Sequence, residues 1–226
     1  MQSEATSQPP STKPPATKRR ARGPRWERRK DSRPSELLDA ALDTFVERGF
    51  AAARLEDVAA RAGVSKGTLY LYYANKEELF KAVVRRSIAP LIFETRELIQ
   101  RSAKDSESLL GEFLGIWWTR YGGTRLAGIT KLVVGEAGNF PDLARFYNGE
   151  VVRGNHELIT MILQRGVERG EFREIDVDAA AHHVMAPLVL KSIWLNSIEP
   201  CCGAGTLDPQ HFLAHHLDML LRALRA

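Results

Sequence analysis

The sequence predicts an all-α protein, and three observations carry that reading. From Pro34 onward, apolar residues recur at the i, i+3, i+4, i+7 spacing of one helix face. No segment shows the strict alternation of a half-buried strand. Two short helical patterns are separated only by a turn at Gly63, which is the arrangement of a helix-turn-helix.

The first helix starts at Pro34 and carries Leu37, Leu38, Ala41, Leu42, Phe45 and Val46 on one face, with Gly49 as its C-cap. Leu55, Val58, Ala59 and Ala62 define a second, short helix. Gly63 ends it, because glycine enters the left-handed conformation of a helix terminus without steric cost. Ser65 suits an N-cap, since its hydroxyl accepts an orphan N–H, and it starts a third helix reaching about Tyr72. Asn75 and Glu78 have capping-box spacing and open a fourth helix at Lys76, which is expected to bend at Pro90. Periodicity then places helices at 107–121, 125–136, 142–168, 177–197 and 209–224. Pro141 reads as a helix start, Pro187 as a kink inside an apolar helix, and "CCGAG" at 201–205 as a loop.

Charge is distributed unevenly over the 226 residues. Residues 1–33 hold ten Lys/Arg against three acidic residues, a net of +7, while the remaining 22 basic and 25 acidic residues leave −3. This Pro-, Ser- and Arg-rich arm cannot bury apolar surface and is expected to stay disordered by itself. Its charge seeks polyanions, and composition leaves DNA, RNA and anionic lipid all open. No apolar run approaches the roughly 18–20 residues of a membrane span, and no secretory h-region is seen, so cytoplasmic location and no membrane partner are expected. Cys201 and Cys202 are adjacent and read as loop thiols rather than a disulfide. A glycine-rich phosphate loop, a nucleophile elbow and a metalloprotease helix are all absent, so no enzyme and no cofactor are expected.

The stretch "VSKGTLYLYYANKEEL" at 64–79 places small polar groups and tyrosines where a core helix would place leucines. A recognition helix sets its first turn against base edges, which calls for short or flexible polar side chains. Ser65, Lys66, Gly67 and Thr68 supply them: Lys66 can donate to guanine, Thr68 can offer its hydroxyl or methyl, and Gly67 permits close approach. Tyr70 and Tyr72 then suit flanking phosphates, Tyr73 suits packing under the next helix, and Lys76 lies beside a helix terminus fit for phosphate.

The segment "LEDVAARAGVSKGTLYLYYANKEELF" at 55–80 resembles the DNA-binding signature of the TetR/AcrR family of bacterial regulators. That resemblance implies a three-helix head at 34–80, a connecting fourth helix, and a larger helical ligand-binding and dimerisation domain at 81–226 behind the arm at 1–33. It also implies a homodimer, a double-stranded DNA operator, and repression relieved by a small lipophilic or amphipathic effector. The family's DNA contacts fall here on Arg54 at the start of the second helix and on Lys66, Gly67, Thr68, Tyr70, Tyr72 and Lys76. Family members usually open the second helix with a capping Thr or Ser, where this chain has Ala53 and Arg54. A missing cap costs about 0.5–2 kcal/mol, and the phosphate contact passes to the Arg54 guanidinium. The rival function is an architectural DNA protein that coats DNA through the arm and has no ligand.

In the second domain, Trp117, Tyr121, Phe146, His183 and Trp194 are the candidates for an effector pocket, since such sites combine apolar walls with a few polar anchors. His211 and His215 are four apart on a helix, which gives two ligands and falls short of a metal site. The adjacent His182 and His183 point about 100° apart and do not chelate one ion together, so no metal is expected. Phe212, Leu213, Leu217, Leu220, Leu221 and Leu224 form an apolar stripe expected to face a second copy.

Overall fold

The computed structural model describes residues 25–202 and 208–225, with side chains from residue 34 onward. All regular structure among the described residues is helical. Most of the basic arm lies outside the described residues. α1 (Arg25–Ala52) begins upstream of the expected Pro34, in a run of Arg, Glu and Lys with high intrinsic helix propensity.

Gly49 interrupts α1 at φ 77°, a conformation that residues with a Cβ avoid, so the chain turns there into the short run Phe50–Ala52. α2 (Leu55–Arg61), α3 (Lys66–Tyr70) and α4 (Lys76–Ser87) complete a head around Leu37, Phe45, Phe50, Leu69, Leu79 and Phe80, all 0–1% exposed. The rings of Phe45, Phe50 and Phe80 lie 5.5–5.8 Å apart, two of the three pairs edge-to-face, the arrangement that ring quadrupoles favour. Gly63, at φ 65°, makes the tight turn between α2 and α3.

α4 stops at Ser87 and α5 (Ala89–Arg101) starts at once with Pro90 in its first turn, where a missing N–H costs no intrahelical bond. The expected bend is there. α6 (Ser106–Trp117) runs into a π-helical turn at Trp118–Gly122, and a 3₁₀ turn at Arg125–Ala127 leads to α7 (Gly128–Glu136). α8 (Pro141–Tyr147) starts at the expected proline and joins α9 (Arg153–Glu168) through a second π-helical turn, Asn148–Val152. Helical periodicity predicted continuous helices at both places, because a single wider turn shifts the hydrophobic pattern by only about one residue.

α10 (Val177–Ser197) continues through Pro187. Cys201 and Cys202 lie on the short helix α11 (Glu199–Cys202), exposed and free, so the expected loop starts only after them and passes outside the described residues. α12 (Pro209–Leu224) closes the bundle. Asp105, Asp176 and Asp208 cap α6, α10 and α12 by accepting the backbone N–H of Ser108, Ala179 and His211 at 2.7, 3.0 and 2.8 Å. The α12 stripe does not face outward whole. A Leu217 methyl covers Gly111 of α6, the ring Nε2 of His216 meets the Val184 carbonyl oxygen at 3.0 Å, and Leu224 is buried. Leu190, Trp194, Ile198 and Met219 are the large apolar side chains left exposed on α10, α12 and the link to α11.

Candidate DNA-reading surface and effector cavity

Ser65 caps α3 with its hydroxyl, accepting from the Thr68 N–H at 3.2 Å and sharing a 2.9 Å hydrogen bond with the Thr68 hydroxyl. Lys66, Gly67, Tyr70 and Tyr72 stand exposed along the same short helix and its end. The Lys66 ammonium is paired with Glu56 of α2 and lies 5.7 Å from the centre of the Tyr70 ring. The hydrogen bond between them raises the lysine's pKa and lowers the glutamate's. Tyr73 is half-buried, and burial raises its phenol pKa, in keeping with a packing role. Residue-type reasoning passed over Leu71, which is 84% exposed in the middle of this surface. The signal was available: Leu71 follows the buried Leu69 by two residues, about 200° around the helix.

Arg54 occupies the N-cap of α2 with extended backbone and no side-chain cap bond, as the missing Thr or Ser implied. Lys76, named among the phosphate contacts, is held here by the end of α1. Its ammonium donates to the carbonyls of Phe50 (2.6 Å) and Ala51 (3.0 Å) and sits 4.6 Å from the centre of the Phe50 ring. It thus satisfies carbonyls orphaned at the end of α1 and ties α1 to α4. Asn75 caps α4 through the Glu78 N–H at 2.8 Å, while the Glu78 carboxylate turns to Lys81.

The second domain holds a half-open cavity of about 590 Å³ between α6, α7, α8, α9 and α10, bordered by both π-helical turns. Trp117 and Tyr121 line it, as the sequence suggested. Phe146, His183 and Trp194, the other candidates, lie elsewhere. Phe146 lies beneath the Arg85 guanidinium at 5.1 Å, His183 lines a separate groove with Leu220 and Leu224 of α12, and Trp194 is 43% exposed. The helical pattern locates a residue along its helix but leaves the rotation of that helix against its neighbours open, so His182 took the place given to His183.

At one wall the hydroxyls of Tyr121, Thr130 and Tyr147 form a triangle, with Tyr121–Tyr147 and Thr130–Tyr147 both at 2.8 Å. Burial raises both phenol pKa values, Tyr121's strongly, so both stay neutral and able to donate. His156, His182 and Met185 complete the lining that the sequence did not reveal.

α7 borders both the cavity and the head. Thr130 and Val133 line the cavity, while the Glu136 carboxylate accepts the Ala51 N–H at 3.1 Å. Phe140, just after α7, packs edge-on against Phe50 at 4.8 Å. Gly128 at the start of α7 meets Val46, and an added Cβ would lie 2.6 Å from a Val46 methyl. The head is therefore coupled to the cavity by side-chain contacts as well as by the α4–α5 connection.

Residues 37–83 match the family model of bacterial regulatory proteins of the tetR family, and residues 110–197 match that of the tetracyclin repressor-like C-terminal domain. The repressor KstR2 of Mycobacterium tuberculosis is 30% identical over 150 residues, covering 66% of this chain and 74% of KstR2. The chain belongs to the TetR family. It is a transcriptional regulator of that family. The fatty acid metabolism regulator of Bacillus subtilis is 27% identical over 162 residues, 70% of this chain and 82% of that protein. A crystal structure of FadR from that organism with stearoyl-CoA superposes with a TM-score of 0.71 at 23% identity, over 84% of this chain and 98% of FadR. Among the described residues, no helix of this TetR-family protein is long and apolar enough to cross a membrane.

Proposed function

We propose that this TetR-family regulator is a cytoplasmic repressor that binds a palindromic operator as a homodimer and is released by a long-chain acyl thioester. The observation that carries the effector class is the cavity of about 590 Å³, within the roughly 300–1,000 Å³ of small-molecule sites, with apolar walls and one hydroxyl triangle. A long acyl chain matches those walls, and its thioester carbonyl can replace one edge of the hydroxyl triangle, accepting a proton that Tyr121, Thr130 or Tyr147 otherwise shares with a neighbour. The fatty acid regulator and the stearoyl-CoA-bound FadR among its relatives support the same class.

In this reading residues 34–80 form the reading head and 81–226 the effector and dimerisation domain. Ser65, Lys66, Gly67 and Thr68 address base edges, Leu71 meets a thymine methyl, and Arg54, Tyr70 and Tyr72 hold phosphates. The exposed Leu190, Trp194, Ile198 and Met219 pack against a second copy. Leu190→Asp with Met219→Asp then gives a monomer in sedimentation, because buried carboxylates are costly, and a persistent dimer would move the interface elsewhere.

The effector is tested by thermal unfolding and operator release with acyl-CoAs of increasing chain length. Affinity should rise by about 0.8 kcal/mol for each methylene buried. Equal shifts with free coenzyme A, or a response to steroid thioesters alone, would overturn the acyl assignment.

A further inference from the structure

We propose that His156, Asp178 and His182 form a binding site for a divalent late-first-row transition metal ion, with Zn²⁺ as its simplest occupant, on the wall of the cavity. The inference is independent of which effector the cavity takes.

His156 lies in the first turns of α9, and Asp178 and His182 are four residues apart on α10, one turn above the other on a single face. The helices pack together, and one ligating atom from each residue lies within 4.8 Å of the other two. His156 Nε2 and Asp178 Oδ1 are 3.4 Å apart, and the two imidazole centres are 4.8 Å apart with their planes inclined by 44°.

A tetrahedral ion held at about 2.0–2.2 Å from each N or O ligand spaces those atoms roughly 3.3–3.5 Å from one another. The His156–Asp178 edge already has that length. The remaining edges close by side-chain rotation of His182 and Asp178, both of which are exposed and free to turn.

The present contact leaves His156 poorly served. Its Nε2 is buried without a hydrogen-bond partner, and the 3.4 Å contact with Asp178 is an ion pair only when the ring is protonated. A buried ring nitrogen left unpaired is destabilising, and a metal ion supplies the partner that neither neighbour provides. Two imidazoles and one carboxylate favour zinc and its neighbours over calcium or magnesium, which prefer all-oxygen cages.

His156 and His182 both line the cavity, whereas Asp178 lies outside it. Three protein ligands leave a fourth tetrahedral position, and this placement turns it toward the cavity, as in zinc sites that keep one position for an exogenous ligand. His216 is engaged with the Val184 carbonyl oxygen, and the exposed His211 and His215 rings stack 6.4 Å apart on α12.

The test uses untagged full-length protein, stripped by a chelator and titrated with Zn²⁺ in competition with a chromogenic chelator. The wild type is expected to bind one equivalent. His156→Gln, His182→Gln and Asp178→Asn should each weaken that binding at least as much as the about 10- to 100-fold loss seen on changing an outer-shell partner. A control carrying His211→Gln, His215→Gln, Cys201→Ser and Cys202→Ser should keep it. Cobalt in place of zinc should give visible d–d bands without a thiolate charge-transfer band. Thermal unfolding of the metal-free variants checks their fold, and Asp178→Asn, at a position 79% exposed, reads the site even if a histidine variant misfolds. Absence of stoichiometric zinc in the wild type, retention in Asp178→Asn, or loss in the control would each overturn the site.

Discussion

Ser65, Lys66, Gly67, Thr68 and Tyr70 lie on one short helix and its cap, within six positions of sequence. Tyr121, Thr130, Tyr147, His156 and His182 come from five separate elements and meet only around the cavity. The first group is displayed by a helix whose single inward residue, Leu69, is fully buried, so its geometry is local. The second is assembled by the packing of long helices, so its geometry belongs to the bundle. Substitutions should therefore act differently in the two regions.

The largest contrast is expected in the packing that supports each group. Leu69→Ala should cost about 2–5 kcal/mol and abolish operator binding, because α3 has no other buried anchor. Val133→Ala, beside space that already exists, should fall near the low end of large-to-small effects. Chemical denaturation of both variants measures the difference, and equal losses would show that the cavity wall is packed like the head.

Next come the displayed groups. Lys66→Ala should cost about 1–3 kcal/mol on operator DNA and less on random DNA, as a base-edge contact requires. Equal losses in gel-shift titrations on both would assign Lys66 to phosphate.

In the cavity, Thr130→Val removes one corner of the hydroxyl triangle and leaves Tyr121 and Tyr147 bonded to each other at 2.8 Å. Two of the three hydrogen bonds go with it, so the loss should be about 1–3 kcal/mol, twice the net value of one intramolecular hydrogen bond. Thermal unfolding without effector reads it, and a loss above this range would mean that the triangle acts as one cooperative unit.

The smallest effect sharpens the comparison from the side of the head. Glu56→Gln removes the exposed ion pair that holds Lys66, and solvent screening should leave stability nearly unchanged. Operator affinity should rise, since DNA no longer competes with a carboxylate for the ammonium. An unchanged affinity across a salt series would show that the pair does not restrain Lys66.

The sequence by itself determined the all-α class, the helix-turn-helix, the Ser65 and Asn75 caps and the exposed polar turn of α3. Each depends on the spacing of residues within one or two helical turns, and that spacing survives in the linear order of the chain. Only the tertiary structure decided which face of α10 meets the cavity, and so that His182 rather than His183 lines it beside His156. It alone turned Lys76 toward the carbonyls of α1, laid Phe146 under Arg85, and divided the α12 stripe between its own bundle and an open face. The physical reason is rotation: a helix's period records which residues share a face, whereas the neighbour each face meets is set by how all the helices pack together.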